Sequence, residues 1–432
     1  MGSDEKEKEG RASNSLMNVS LRLSDLFLDR IPGRKEKAPE DITKYFQMLG
    51  EMTELSGNKD SNFMYSPASL YSALQAAAYG ADGKTYKEII KLTGKKTHDL
   101  KSDAVNVWNF LVVNGKENRH SKIREEYERL LMNDHNFNAI AYELTDKNCD
   151  QLVDEINSRC RRETNGQIAE AVSPEAFQDT SPLDIFAAFL GNVFRFKGTW
   201  KERGRLNKYF YFTGKDGEHR QADAVNMNSE ELHYYCNKTV EAFSAPYQED
   251  GGRYTFWGFL PSGNGESHMS QCRSICISAA ENESTFPGKV ECCDIASLDL
   301  SGLKEPEEEY KLHVDIPKFL FRSGMDMTET LKKIGVNAAF DRQKADFTKG
   351  LSFSEDNNAY LNAVRQQSVI DFNEKGTEAS AFTGMCFDIA CLGSRELEIW
   401  LQFDRPFYFM IWDDTEKLPL FVGQVFEPVY EK

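Results

Sequence analysis

Apolar residues recur along this chain at two periods, near 3.6 and at 2, and the switches between them lay out its elements. DITKYFQMLGEM, from Asp41, reads as a helix. Ser66–Pro67 opens a second, ASLYSALQAAAYG, with Ser66 as its cap and Pro67 in its first turn. Ala76, Ala77 and Ala78 give that helix a small face suited to burial under close neighbours. KTYKEIIKL, IREEYERLLMN and DQLVDEINSRCRRE are further helices. FAAFLGNVFRF, an apolar run with aromatics, reads as a buried strand, and YTFWGFLP and KLHVDIPKFLF read as strands. Residues 1–40 differ: they are charged and punctuated by Pro32, Gly33 and Pro39. Within them Leu16, Leu21, Leu23, Leu26, Phe27 and Ile31 roughly share one helical face. The expectation is an N-terminal extension, 1–40, with a short amphipathic helix. Its polar face is not rich in Lys, so the helix is expected to dock on its own protein rather than on a membrane. One domain, 41–432, follows with no linker and no internal repeat.

One segment has a pattern of its own. From Thr377, every second residue is small or apolar: Thr377, Ala379, Ala381, Thr383, Met385, Phe387 and Ile389. The alternate set is Glu378, Ser380, Phe382, Gly384, Cys386 and Asp388. This is the period of a half-buried strand, yet its first half is Ala, Thr and Ser, which drive strand formation poorly. Such a strand fits inside a sheet but is not compelled to stay there. After Ile389 the alternation breaks into ACLGSRE, a loop signature.

Composition narrows the function. The chain has 432 residues, 52 Lys+Arg against 69 Asp+Glu, and a formal net charge of −17. That argues against nucleic acid as the main partner and against docking on anionic lipid. A 40% hydrophobic and 12% aromatic content rules out disorder of the whole chain. No apolar run is long enough to span a bilayer. MGSDEKEKEGRA is the reverse of a signal peptide, and Lys6 stands where a myristoylation signal needs Ser or Thr. The nine cysteines, including the Cys272/Cys276 pair and the adjacent Cys292 and Cys293, are read as free thiols. Sequons at Asn18, Asn237 and Asn282 matter only in a secretory setting.

Catalytic signatures are missing: there is no GxSxG, HExxH or CxxC. The GKT at 83–85 lacks the earlier Gly of a phosphate loop, since Ala78 stands there. His313 and Asp315 can share one strand face, and are read as a structural pair. The expectation is no enzyme, no cofactor and no metal.

Several blocks, taken in order, resemble the serpin family from about Asp41 to Pro428. The first, NFMYSPASLYSALQAAAYGADGKT, carries Asn62, Ser66, Pro67, Ser69, Leu74, Gly80 and Thr85 in step. INSRCRRETNGQI resembles the helix crossing the family's main sheet, with Asn157, Thr164, Gly166 and Ile168. GNVFRFKGTW supplies Asn192, Phe196, Lys197, Gly198 and Trp200, and DIPKF supplies Pro317 and Lys318. FNEKGTEASAFTG is similar to the family's hinge, and DRPFYF with PLFVGQVFEP to its C-terminal strands.

The resemblance implies an α+β single domain of three β-sheets and about nine helices, with an exposed reactive-centre loop at about 374–400. It implies a suicide substrate of serine proteases: the acyl-enzyme is trapped when the cleaved loop inserts into the main sheet of a metastable fold. The hinge would be Glu374, Gly376, Thr377, Glu378, Ala379, Ser380 and Ala381. Glu374 would pair with Lys318 as a gate. Ser66, Asn192 and Gln366 would form the sheet-opening region, where the family often has His in place of Gln366. For the reactive bond, the family's usual count from the hinge Glu lands on Ala390–Cys391, suited to an elastase-like pocket. Leu392 would suit a chymotrypsin-like one. A count back from Pro406 gives Arg395–Glu396, and Arg395 is the one basic residue between Lys375 and Arg405. A trypsin-like protease is therefore the favoured partner, met by a monomer with no membrane span. The family role favours an extracellular or cell-surface setting, and a leaderless intracellular one is the alternative. The alternative function is a non-inhibitory serpin: a carrier, chaperone or storage protein.

Overall fold

The computed structural model describes residues 42–117, 121–133, 137–179, 186–261, 299–353, 358–377 and 397–430. They belong to one compact unit, Pro39–Lys432. Helix α1 (Thr43–Leu55) buries Tyr45, Phe46, Met48, Leu49 and Met52, the stripe its periodicity predicts. Helix α2 (Pro67–Tyr79) begins where its sequence says. Ser66 is extended, its hydroxyl accepts from the Ser69 N–H at 3.2 Å, and Pro67 takes the first turn, where a missing N–H costs nothing. The helix is buried from Pro67 through Ala78, because its small residues let neighbours close in on every side.

Helices α3 (Gly83–Thr93), α4 (Glu125–Asn133) and α5 (Cys149–Glu163) lie at the surface, and α6 (Thr328–Lys333) is short. The described residues thus hold six α-helices, with 3-10 turns at Pro174–Phe177, Glu249–Gly251 and Ala338–Phe340. The GKT tripeptide opens α3, and the Asp82 carboxylate accepts from the Gly83 N–H at 2.8 Å. A carboxylate therefore occupies the position a phosphate would need.

The strands form three large sheets and a ribbon. The first sheet is antiparallel throughout. Its order is β1 (Phe63–Tyr65), β19 (Leu418–Val425), β18 (Phe407–Asp413), β11 (Tyr254–Pro261), β10 (Val240–Pro246), β9 (His233–Cys236). The second runs β17 (Leu397–Gln402), β12 (Tyr310–Pro317), β8 (His219–Met227), β7 (Arg205–Thr213). The main sheet runs β4 (Ala139–Leu144), β2 (Val105–Asn114), β5 (Ala188–Phe196), β15 (Leu361–Asn373), with β13 (Phe319–Asp326) on the outer side of β15. Two short strands, β6 (Gly198–Thr199) and β16 (Gly376–Thr377), complete one end of it. Strands β3 (Lys122–Ile123) and β14 (Leu351–Ser352) make the ribbon.

The core has two parts. Helix α5 lays Leu152, Val153, Ile156 and Cys160 on one face of the main sheet, against Trp108, Phe110, Phe189 and Val369. The other face meets the first sheet through aromatic rings: Phe194 with Phe421 at 5.1 Å, and Phe372 with Phe256 at 4.8 Å.

Two readings change. The run KLHVDIPKFLF is two strands, β12 and β13, divided at Lys318 and assigned to different sheets. His313 and Asp315 do not satisfy each other. Asp315 accepts from Asn207 at 3.2 Å and Asn226 at 3.0 Å, while His313 stacks on Trp400 with ring centroids 4.1 Å apart. Cross-strand neighbours outcompete the partner two residues away. The Asn237 side chain is also committed: its amide donates to the carbonyls of Asp299 at 2.8 Å and Ser301 at 3.0 Å. A glycan on that nitrogen would remove one of the two hydrogens.

Candidate functional site

The main sheet contains one weak seam. Strands β5 and β15 pair in parallel, from Leu361 opposite Ala188 to Val369 opposite Arg195. The ladders on either side, β2 with β5 and β13 with β15, are antiparallel. Parallel pairing is slightly less stable per residue, and the sheet's other parallel ladder, β2 with β4, lies at its edge, so β5 with β15 is the weak ladder at the centre.

That seam is filled with polar groups where a strand would usually be apolar. Gln366 and Asn192 are direct partners across it, both buried. Gln366 Oε1 accepts from the Ser66 N–H at 2.7 Å, and its Nε2 donates to the Ser66 carbonyl at 2.9 Å and to Asn192 Oδ1 at 3.3 Å. Asn192 accepts from the Ser69 hydroxyl and donates to Asn109 Oδ1 at 2.6 Å. Asn109 in turn donates to Ser72 at 3.0 Å. The α2 N-terminus, β2, β5 and β15 are thereby tied through neutral amides and hydroxyls. Ser368 is buried nearby, and its hydroxyl has no partner among the described residues.

At one end the seam is already open. Strand β15 turns at Glu374–Lys375, and β16 comes back antiparallel to it, with Thr377 opposite Phe372. The other edge of β16 pairs antiparallel with β6, Thr377 opposite Gly198 and Gly376 opposite Thr199. Two residues are thus wedged between strands that lie in contact further down. Gly376 has φ +147°, and a Cβ there would sit 2.0 Å from the Gly198 carbonyl oxygen, so no other residue fits. Thr377 is fully buried, with its hydroxyl 2.6 Å from that of Tyr247. Tyr247 stacks on Trp200 at 4.4 Å. Trp200 anchors the turn: its Nε1 donates to the Asn373 carbonyl at 2.9 Å and its backbone N–H to that of Lys375 at 3.0 Å. The Gly204 N–H donates to the Glu374 carbonyl at 3.0 Å.

The turn carries the expected ion pair. Lys318 Nζ lies 3.1 Å from the Glu374 carboxylate, with both side chains mostly buried. Lys318 sits where it does because its backbone N–H donates to the Asp223 carbonyl of β8 at 2.8 Å, at the pivot between β12 and β13. Burial works to raise the Glu374 carboxyl. A bond from its own backbone N–H, the Lys318 ammonium and the charge of Lys375 outweigh it and hold the group below the ordinary glutamate range.

Of the sequence-predicted residues, Ser66, Asn192 and Gln366 meet in the seam, and Glu374, Gly376, Thr377 and Lys318 meet at its open end. Glu378, Ala379, Ser380, Ala381, Ala390, Cys391, Leu392, Arg395 and Glu396 lie outside the described residues. Sequence reasoning missed Tyr247 and Asn109. Asn109, a polar residue inside the apolar run VWNFLVV, was the one with a visible signal. Among the described residues no helix is long and apolar enough to cross a membrane.

Comparison with known proteins points one way. The family model described as Serpin (serine protease inhibitor) matches residues 44–428. Serpin-Z1A of Triticum aestivum is 24% identical over 387 residues, covering 85% of this chain and 90% of the relative. Glia-derived nexin of Homo sapiens is 26% identical over 379 residues, covering 85% and 88%. Among solved structures, the native state of the thermophilic serpin tengpin superposes with TM-score 0.63 at 22% identity, covering 92% of this chain and 98% of that one. A thyroxine-binding globulin complex with thyroxine gives 0.63 at 19%, covering 90% and 99%.

Proposed function

Because the chain belongs to the serpin family, we propose that it is a suicide-substrate inhibitor of serine proteases that traps the acyl-enzyme by inserting its cleaved loop into the main sheet. The observation that carries this reading is the placement of β16. It runs antiparallel to both β15 and β6, the direction an inserted strand must take. Continued at the same register, it exchanges one parallel ladder for two antiparallel ones. Thr377 stands opposite Phe372 and Gly198, so six residues further on Thr383 would stand between Gln366 and Asn192. A threonine hydroxyl would then replace an amide contact at the centre of the seam. The odd-numbered residues Ala379 to Ile389 would follow Thr377 onto the core face. Burial of Met385, Phe387 and Ile389 alone would contribute roughly 5–9 kcal/mol.

Arg395 is the bait we favour, since a trypsin-like protease needs a cation opposite the carboxylate of its specificity pocket. The Arg395–Glu396 bond lies just before β17, which begins at Leu397. Ala390–Cys391 is the competing bond, and Leu392 the third candidate.

The test is incubation with trypsin and with chymotrypsin-like and elastase-like proteases. A band at the summed mass that survives boiling in detergent is the expected result. Cleavage without any such band across the panel would favour the non-inhibitory alternative. Mass spectrometry of the released fragment identifies the bond. Arg395→Ala should slow inhibition of trypsin about 100-fold, a loss of about 2.7 kcal/mol in transition-state stabilisation. A rate within about twofold would remove Arg395 as the bait.

A further inference from the structure

Beyond β19 the chain returns to the open end of the main sheet. Asn62 directs it there: its Oδ1 accepts from the backbone N–H groups of Phe426 at 2.8 Å and Glu427 at 3.0 Å. The C-terminal segment then meets the outer edge of β13, where the Leu320 N–H donates to the Val429 carbonyl at 2.8 Å. That bond delivers the next side chain, Tyr430, to the face of the sheet, packed against the cluster that includes Leu320.

Tyr430 touches both sides of the turn from which the loop departs. Lys318 Nζ lies 4.2 Å from the centroid of its ring. Its hydroxyl hydrogen-bonds the side chains of Asp371 and Asn373. Asp371 is the cross-strand partner of Leu320, and the Asn373 amide donates to Asp371 at 3.0 Å, so these groups form one connected patch. Burial and the Asp371 carboxylate push the phenol above its ordinary range.

The consequence is an ordered chain of contacts. The ring holds the ammonium of Lys318, the ammonium holds Glu374, and the hydroxyl holds the last residues of β15. A mostly buried lysine with one carboxylate partner retains rotamer freedom, and an aromatic face removes it. We infer that Tyr430 is a positioning residue for loop insertion: it fixes Lys318 and the end of β15, and so keeps the Glu374–Lys375 turn and β16 aligned with the seam.

The bearing on trapping rests on the inhibitory reading, but the placement of the turn can be measured without a protease. The amides of Trp200 and Gly204 donate to the Lys375 and Glu374 carbonyls, so their hydrogen exchange in the intact protein reports whether the turn is held. Tyr430→Ala should raise exchange at these two amides about tenfold, as expected for loss of a cation–π contact in a mostly buried setting. Tyr430→Phe keeps the ring over Lys318 and should stay within about threefold of the parent. Exchange in β18 and β19 should not change in either variant.

If exchange at Trp200 and Gly204 in Tyr430→Ala stays within about twofold of the parent, the inference fails. It fails equally if exchange rises uniformly through β18 and β19, because Tyr430 is then only a stability residue. Should the parent trap a protease, Tyr430→Ala should consume more inhibitor per trapped enzyme, with Tyr430→Phe close to the parent. A parent that never traps overturns the inhibitory reading and leaves the exchange result to decide this one.

Discussion

Thr377 shows how much one residue can carry. Its side chain is fully buried and meets Tyr247, whose own ring is sandwiched against Trp200. Thr377→Arg would force a cation into that space at a cost of several kcal/mol unless it found a partner. Insertion should slow relative to deacylation, so the variant should be cleaved by a protease that the parent traps. Gel analysis of the two incubations checks this, and full trapping by the variant would remove Thr377 as the first inserted residue. Glu374 makes a prediction about pH. Its folded carboxyl is held below the ordinary range, so the unfolded state binds the proton more tightly. The contribution of the Lys318 pair is then complete above the unfolded value of about 4.3 and is lost as pH falls through it and below. Glu374→Gln should therefore lower stability at pH 7 by about 1–3 kcal/mol, and the gap between variant and parent should be smaller at about pH 4, where the unfolded carboxyl already takes up protons. Denaturant unfolding at the two pH values measures it.

At the level of elements, the seam between β5 and β15 is governed by the amide network around Gln366. Every group that Gln366 contacts there is a neutral amide, hydroxyl or backbone group. The seam itself has no reason to weaken on mild acidification. Gln366→His would change that. A buried imidazole is disfavoured when charged, so the unfolded state takes up protons first and stability falls as pH drops below about 6.5. Protection of β5 and β15 amides, corrected for intrinsic exchange, should be level between pH 7.5 and 5.5 in the parent and fall in the variant. Equal behaviour of both would show that the network does not set the opening of the sheet. Gln366→Ala should be harsher at all pH values, since the buried Ser66 N–H would be left without its partner at about 1–3 kcal/mol, while Asn192 keeps Ser69 and Asn109.

For the molecule as a whole, the central question is whether the intact fold is its most stable arrangement. The sheet holds a parallel ladder flanked by antiparallel ones, with a two-residue wedge entering in the antiparallel sense. A cut within 385–396 would free the preceding strand to follow that wedge. The added burial, roughly 5–9 kcal/mol, should raise the melting temperature by roughly 10 °C or more. Calorimetry of intact and nicked protein decides this, and identical melting curves would count against insertion.

The sequence by itself determined the helices, the buried strands and the family, because helix caps, apolar period and motif spacing are local properties. Ser66 and Pro67 start α2 whatever lies around them. It also marked Lys318 and Glu374 as a pair, but only through resemblance, since nothing in their spacing brings residues so far apart together. Three matters belonged to the tertiary structure alone. Lys318 splits one apolar run between two sheets, because its backbone is claimed by β8. His313 and Asp315 take cross-strand partners rather than each other. Tyr430 reaches Lys318 because the segment after β19 runs to the edge of β13, where the Leu320 N–H holds the Val429 carbonyl. Each is a contact between segments that periodicity treats independently, and only packing decides which segments become neighbours.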